Sequence, residues 1–353
     1  MELSGLNKAL HSLYCKKISV EKEASTRQEI VFNVNVILGK MKECDQEKAV
    51  MFKVVTEKVL QGISSQHYEV YVVLKSLEKM VEVVDAVEEG FSRLELANQS
   101  LPYDWAGPWY NCLDNEGFLV LPAVHQRMRG LGYEAITELH SHHFLENVRV
   151  AEEDLNSSKF RFQFNSKFHG NIVVYIIPAI EIEVRPRCLR TDVPVNLQNI
   201  LLTASGSWGS KADDPRRSLW HVSLLMIKNE VFAHMDCPGG FRRLVRGVLH
   251  LLCEKYVHYP VTHKLVDALF LWNLCAHASE EDWVLDKLAA RVLEILENLR
   301  RALRNHRVRN YFMPQYNMLA DFDGLKLDKA AERVQSLMQK LKENPYSLQL
   351  FAT

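Results

Sequence analysis

The sequence lacks two features that would set it apart from ordinary globular proteins, a long apolar run and a strong net charge. Its longest apolar run, residues 172–180, is too short to cross a bilayer as a helix. The 43 Lys and Arg residues nearly balance the 44 Asp and Glu residues, so the net charge of −1 does not favour nucleic acid or a membrane surface. With 353 residues, 47% of them hydrophobic, the chain can bury a large core, and its length predicts two domains or lobes.

Paired cysteines are also absent. The seven cysteines are scattered along the chain, and none forms a CxxC pair. An odd number of isolated thiols argues against a disulfide framework and predicts a reducing compartment. The first residues lack the apolar segment and cleavage site of a signal peptide. We therefore expect no membrane association and a cytoplasmic protein, with the nucleus as the alternative.

Signatures of several enzyme classes are missing as well. The sequence has no G-x-S-x-G elbow and no catalytic-cysteine motif. The glycine-bearing residues 205–210 lack the lysine of a P-loop, which predicts a flexible loop instead. His140, His142 and His143 have no partner at zinc-finger spacing, so a solvated turn is the expected structure there.

The first part of the chain begins with a helical pattern. Apolar residues recur at three-to-four spacing from residue 34 to residue 41, and Phe52, Val55 and Val59 resume the spacing. This pattern predicts that residues 20–60 are mostly helical. A second helix is expected to begin at Pro122, where a missing backbone N–H costs least.

Strand signals follow the helical pattern. Residues 68–74, YEVYVVL, are rich in β-branched and aromatic residues. In residues 159–184, Phe160, Phe162 and Phe164 alternate with polar residues, and an apolar run follows after a turn. Both stretches predict β-strands in a core sheet.

The second part of the chain reads as helical, and a linker is predicted between residues 185 and 218. A sheet followed by helices indicates an α+β protein. Four helices are expected, over residues 239–256, 261–277, 281–304 and 325–343. The predicted division is residues 1–60 for N-terminal helices that pack on the core, 61–205 for a mixed-sheet lobe and 216–353 for a helical lobe.

The helical part contains three features in a fixed order: a helix with an aromatic residue near its end, an acidic helix start before a tryptophan, and a Y-F-x-P-x-x-N-x-L segment. They fall on Trp272, Glu281-Asp282-Trp283 and Tyr311–Leu319. This pattern resembles the C-terminal lobe of the Mab-21 family, which includes cyclic GMP–AMP synthase. Further matches in the same order are VVYIIPAIEI, LWHVSL, CPGGFRRLVRGVLHLL and the Asn-Pro of residues 344–345. The resemblance covers roughly residues 25–350, is strongest after residue 216, and implies a bilobed nucleotidyltransferase-like fold.

In active enzymes of that fold, three carboxylates hold two Mg²⁺ ions against a triphosphate. The resemblance assigns the three positions to His67, Glu69 and Tyr175, so only one acid remains. An imidazole and a neutral phenol are poor Mg²⁺ ligands. Glu181 and Glu183 lie about 20 Å further along the strand and are too distant to compensate. We therefore predict a degenerate site that holds no metal.

The sequence leaves two functions open. The first is a non-catalytic nucleotide-binding or protein-interaction module, a pseudoenzyme without a cofactor. Its nucleotide would lie in a cleft between the lobes, and the resemblance suggests Ser64, Ser65, Ser223 and Arg246 as contacts. The alternative is an active Mg²⁺-dependent synthase that makes a nucleotide second messenger on sensing double-stranded nucleic acid. The residues at positions 67, 69 and 175 discriminate between the two.

Basic residues near the end of the third predicted helix raise the question of nucleic acid. Basic faces bind duplexes in the Mab-21 family, yet cations at a helix C-terminus also stabilise the helix without any ligand. We therefore do not expect nucleic acid as the main partner. Of the family's zinc-binding segment only His234 and Cys237 remain, which predicts no structural zinc. The candidate contacts to a duplex are Arg300, Arg301, Arg304, Arg307 and Arg309.

Overall fold

A computed structural model describes most of the chain as two compact units. One unit contains residues 1–23 and 231–353, and the other contains residues 24–230. Both chain crossings between the units fall inside helices, whereas the division predicted from the sequence falls at a strand start and in a loop region. The described residues are 3–17, 20–45, 51–64, 66–78, 80–86, 88, 90–96, 107–151, 159–182, 185–190, 200–204, 214–235 and 240–344.

The unit of residues 24–230 is built around a mixed β-sheet, so the predicted α+β class is confirmed. Its strand order is β1-β2-β7-β8-β9-β4-β3, while β6 pairs with the first half of β7 and β5 pairs with β6. Strands β2 and β7 run parallel, and the other pairs are antiparallel. The strands are β1 (Leu60–Gly62), β2 (His67–Val73), β3 (Val81–Asp85), β4 (Phe91–Leu96), β5 (Val148–Val150), β6 (Phe160–Ser166), β7 (Gly170–Glu181), β8 (Leu201–Thr203) and β9 (Trp220–Ser223).

Strand β6 has one buried face and one partly exposed face, as its alternating sequence predicts. Phe160, Phe162 and Phe164 are buried, and every second residue between them is only partly buried. Helix α3 (Leu121–Ser141) packs on the apolar face, and Gly132 of α3 lies directly against the Phe160 ring. The covered face therefore belongs to the core, and Arg161 and Gln163 lie on the opposite face of β6.

The first helix of this region ends earlier than predicted. Helix α2 (Val20–Cys44) buries the expected apolar stripe, but residues 51–56 are not helical. The backbone N–H of Lys53 donates to the carbonyl of Val73, and Phe52 forms a bridge with Leu74. The prediction that residues 20–60 are mostly helical is wrong for residues 51–56, because Phe52 extends the sheet and Val55 lies in an irregular segment. Helix α3 does contain Pro122 in its first turn, as predicted.

The predicted linker between residues 185 and 218 also needs correction. Residues 201–203 form β8, which pairs with β7 and β9 inside the sheet. Residues 215–218 form a short 3₁₀ helix in which the Arg216 N–H donates to the Asp214 carboxylate. Residues 191–199 and 205–213, which include the predicted flexible loop, lie outside the described residues.

The other unit is helical. The four predicted helices are confirmed, although α7 begins at residue 288 after two 3₁₀ turns rather than at residue 281. None of the helices in the described residues is long and apolar enough to cross a membrane. The helices are α1 (Ser4–Lys17), α4 (Leu225–His234, shared with the sheet-bearing unit), α5 (Phe241–Leu252), α6 (His263–Ala276), α7 (Leu288–Arg304) and α8 (Gly324–Glu343).

Candidate functional site

The three positions that the resemblance singles out lie together on the polar face of the sheet. His67 and Glu69 are two residues apart on β2, so their side chains leave the same face. The parallel register of β2 and β7 pairs Glu69 with Tyr175. His67 and Tyr175 stack with ring centroids 6.3 Å apart. This strand register brings the three positions together, and it cannot be read from the local sequence.

Two cross-strand rows define this face. The first row runs from Gln61 on β1 through Glu69 and Tyr175 to Arg161 on β6. Facing residues in a sheet project to the same side, so in this row the phenol of Tyr175 lies between the carboxylate of Glu69 and the guanidinium of Arg161. The second row contains His67, Val173, Gln163 and Arg149.

Ser64 orients the ring of His67 at the start of β2. The Ser64 Oγ atom lies 3.0 Å from His67 Nδ1 and accepts a hydrogen bond of 3.2 Å from the backbone N–H of His67. The backbone N–H of Ser64 also donates to the His67 carbonyl. Ser64, predicted as a nucleotide contact, therefore belongs to the turn that fixes His67. Ser65, predicted for the same role, lies outside the described residues.

The one remaining acid is buried. Only 7% of the Glu69 surface is exposed, and its Oε2 accepts a hydrogen bond of 3.3 Å from the Tyr71 hydroxyl. Next to it, Gln61 Oε1 accepts a hydrogen bond from Lys228 Nζ. The Tyr71 hydroxyl thus gives this buried carboxylate a hydrogen bond that offsets part of the cost of its burial.

A pocket of about 510 Å³ opens on this face. Within the described residues its lining contains two guanidinium groups and three carboxamides but no carboxylate, and Glu69 is outside it. The chain continues from the lining residue Ala151 into Glu152, Glu153 and Asp154, which are beyond the described residues. The lining residues are Gln66, His67, Arg149, Val150, Ala151, Arg161, Gln163, Asn171, Val173 and Tyr175.

Sequence reasoning missed the arginines of this pocket. Arg149 and Arg161 are twelve positions apart in the chain, and only the pairing of β5 with β6 makes them neighbours. The alternation of Arg161 and Gln163 with buried phenylalanines did show that both face away from the core. The alternation identifies the side of β6 that faces away from the core. It does not identify which residues of other strands lie on that side.

The other two predicted nucleotide contacts have defined structural partners. Ser223 is buried at the end of β9, and its Oγ accepts a hydrogen bond from the Leu225 N–H at the start of α4. In the helical unit, Arg246 forms two hydrogen bonds with the Asp267 carboxylate, and its guanidinium carbon lies 4.0 Å from the Phe232 ring centroid.

Three of the five arginines proposed for nucleic acid form ion pairs within the helical unit. Arg300 and Arg301 both donate to Glu297, at 2.8 and 2.7 Å, and these bonds, led by that of Arg300, lower the pKa of Glu297 to about 2. Arg304 pairs with Glu332 and Asp328. Arg307 and Arg309 are exposed and form no ion pair with other described residues. The net positive charge of this helix end is therefore smaller than its sequence suggests.

Other sequence candidates do not form a chemical site in the described residues. Glu181 pairs with Lys53 at 2.7 Å, and Glu183 lies outside them. His140 and His143 separately contact the Val148 carbonyl and Glu146. His234 ends α4, and Cys237 lies outside the described residues.

One group of metal-type donors does converge, on helices α2 and α3. Donor atoms of Cys44, Glu134 and Glu138 all lie within 4.8 Å of one another. Lys40 Nζ is 2.6 Å from Glu138 Oε2, and this hydrogen bond lowers the pKa of Glu138. The ammonium group already supplies the positive charge that a metal would bring, so this group is best described as an ion-pair cluster.

The Y-F-x-P-x-x-N-x-L segment has a structural role in the helical unit. The Asn317 Oδ1 atom accepts hydrogen bonds from the N–H groups of Val308 and Leu319, and its Nδ2 donates to the His306 carbonyl. Trp272 Nε1 donates to the Arg309 carbonyl. The residues that carry the resemblance therefore close the loop between α7 and α8.

Comparison with known proteins gives two findings. A family model described as the Mab-21 protein HhH/H2TH-like domain matches residues 243–336, all of which lie in the helical unit. The protein male abnormal 21 of Caenorhabditis elegans is 27% identical over 151 residues. That match covers 42% of this chain and 40% of the relative, so less than half of either protein is compared.

Proposed function

We propose that this chain, whose membership of the Mab-21 family both comparisons support, is a non-catalytic binding module that retains a nucleotidyltransferase-like sheet. The observation that carries the proposal is the composition of three positions on the polar face of the sheet. Glu69 faces Tyr175, and His67 is its neighbour on β2. A single carboxylate thus occupies the three positions at which the resemblance implies metal ligands.

Charge explains why this composition disfavours metal-dependent transfer. Two Mg²⁺ ions beside a triphosphate are held by several carboxylates, because hard divalent cations select oxygen ligands with negative charge. Glu69 supplies one such ligand and is buried next to a tyrosine hydroxyl. His67 and Tyr175 contribute an imidazole and a phenol, and neither offsets the charge of Mg²⁺.

Direct assay of nucleotidyl transfer tests the proposal. The full chain is incubated with all four NTPs and with Mg²⁺ or Mn²⁺, in the presence and absence of duplex DNA or RNA. Chromatography should then show no new nucleotide product. A product that forms with the unchanged chain and disappears in Glu69→Ala would overturn the proposal and favour the active-synthase alternative.

A variant with restored carboxylates provides the matched comparison. In H67D/Y175D, three acids share one face of β2 and β7. Binding of Mn²⁺, measured by electron paramagnetic resonance, should become at least about tenfold tighter than in the unchanged chain, because two further charged oxygen ligands are added. Equal Mn²⁺ affinity in the two proteins would contradict the proposal that His67 and Tyr175 are the reason for weak metal binding.

A further inference from the structure

We propose that the pocket on the polar face binds a phosphate-bearing small molecule without a metal, through Arg149 and Arg161. The inference rests on the proposed function, since it assigns a ligand to the same sheet face after loss of the metal site. It concerns residues of the β5–β6 pair, next to His67 and Tyr175, the two positions from which carboxylates are missing. The ligand class is an organic or inorganic polyphosphate.

The first argument is the position of the two guanidinium groups. Arg149 pairs with Gln163 on β6, and Arg161 lies two residues from Gln163 on the same strand. Arg149 and Arg161 are therefore diagonal neighbours, about 7–8 Å apart at their first side-chain carbons. Two side chains of this length can reach one ligand, and a guanidinium matches two phosphate oxygens at once.

The second argument is the charge of the pocket. Both guanidinium groups that line the pocket are positively charged. The described lining adds Gln66, Gln163 and Asn171, whose amides donate hydrogen bonds, and it contains no carboxylate. Such a lining matches an anion and would repel a divalent cation.

The third argument is size and shape. A volume of about 510 Å³ exceeds the space needed by a single phosphate group and lies in the usual range for small-molecule sites. The His67 and Tyr175 rings, stacked at 6.3 Å, provide a flat wall beside the arginines. The pocket thus has an anion-binding side and an aromatic side.

A phosphate site that uses arginines in place of a metal should respond to Mg²⁺ in the opposite way to a metal-dependent site. Where a metal bridges protein and phosphate, Mg²⁺ strengthens nucleotide binding. Where guanidinium groups bind the phosphate directly, Mg²⁺ competes with them for the same oxygens. We therefore expect Mg²⁺ to weaken binding to this pocket and chelation of metal to leave binding intact.

Calorimetric titration of the full chain with tripolyphosphate, ATP and adenosine, in EDTA and then in excess Mg²⁺, tests the inference. Tripolyphosphate and ATP should bind in EDTA, more weakly in Mg²⁺, and adenosine should bind at least about tenfold more weakly than ATP. Arg149→Gln should weaken tripolyphosphate about tenfold, which is the effect of losing one charge-assisted contact. Lys167→Gln, an equal charge change at an exposed position in the β6–β7 turn, should have little effect.

Arg161→Lys is the second variant, because it retains the charge and removes only the planar fork of the half-buried Arg161. It should also weaken tripolyphosphate. The inference is overturned if neither polyphosphate binds in EDTA, if adenosine binds as tightly as ATP, or if Arg149→Gln behaves like Lys167→Gln. If no polyphosphate binds and no nucleotide product forms, the inference about the pocket is rejected and the proposed function stands. Mg²⁺-dependent binding accompanied by turnover rejects the proposed function as well.

Discussion

His250 and His263 lie face to face in the helical unit, with ring centroids 4.0 Å apart and planes 7° apart. His250 Nε2 is 2.9 Å from Asp267 Oδ1, which also accepts a hydrogen bond from Arg246. Glu254 Oε2 lies 3.5 Å from the Nε2 atom of His263. Burial, followed by the neighbouring His263, lowers the pKa of His250 to about 3. The folded protein therefore keeps this ring neutral at pH values where a histidine in the unfolded chain is protonated.

This difference predicts that acid destabilises the fold. Below about pH 6.5 the unfolded chain binds a proton at His250 that the folded chain does not bind, until the pH approaches 3. The free energy of unfolding should fall across this window by up to about 1.4 kcal/mol per pH unit from this one group. Replacing His250 by Gln removes the titration and should reduce the slope. Urea unfolding at about pH 7, 6 and 5 measures it.

His143→Gln, at an exposed position in the sheet-bearing unit, is the control for this experiment. Burial also lowers the pKa of His125, to about 4, so part of the slope should persist in His250→Gln. If the unchanged chain, His250→Gln and His143→Gln all lose stability with the same slope, His250 does not contribute to the acid sensitivity.

At the scale of single elements, helix α3 carries two glycines that provide a matched pair. Gly130 has no atom within 4 Å of the place that a side chain would occupy, whereas at Gly132 that place overlaps the ring of Phe160. Phe160 is 1% exposed and is held within the core. Gly130→Ala should stabilise the protein by about 0.5–1 kcal/mol, and Gly132→Ala should destabilise it by about 1–3 kcal/mol.

Chemical denaturation of both variants checks this pair, because the two substitutions change the same helix by the same methyl group. If helix propensity were the only effect, both substitutions would increase the free energy of unfolding. A stabilising Gly132→Ala would show that α3 and β6 are packed more loosely than described.

The elements also show what the sequence could and could not predict. The alternation of Phe160, Phe162 and Phe164 predicts β6 correctly, because a half-buried strand repeats every two residues. The spacing of Phe52 and Val55 suggested a helix, yet Phe52 pairs with the end of β2 and Val55 is buried in an irregular segment. Over so short a stretch, apolar spacing does not distinguish a helix from a segment that covers the core.

The candidate site illustrates the same limit. The i, i+2 spacing of His67 and Glu69 predicts that they share a face, and the structure agrees. The parallel pairing of β2 with β7 and the pairing of β5 with β6 join residues far apart in the chain. These pairings depend on tertiary structure, so Arg149 could not be assigned to the site from local pattern.

At the scale of the whole molecule, the helical unit is made from both ends of the chain. Helix α1 belongs to the same unit as residues 231–353. Asn7 of α1 donates to the Asp286 carbonyl at 2.7 Å and accepts from the Ala289 N–H at 2.6 Å. The sequence predicts N-terminal helices within residues 1–60 but contains no signal for this distant association. Asn7 is thus a specific link between the N-terminal helix and the start of α7.

A similar asparagine in the other unit permits a comparison across the molecule. Asn35 of α2 donates to the Val55 carbonyl at 2.9 Å and accepts from the Val55 N–H at 2.8 Å. Each asparagine therefore satisfies one backbone donor and one backbone acceptor. Replacing either by Ala leaves both groups unpaired, at a cost of about 1–3 kcal/mol where they are buried.

The two substitutions should act on different units. Asn7→Ala should increase amide hydrogen exchange in α1 and at the start of α7, and leave exchange in strands β2 and β7 unchanged. Asn35→Ala should increase exchange around residues 51–56 and leave α7 unchanged. Hydrogen exchange read by mass spectrometry resolves these segments, because local opening is reported by the amides that it exposes. If either substitution accelerates exchange equally in both units, the two units unfold as one cooperative body, and the asparagines do not stabilise them separately.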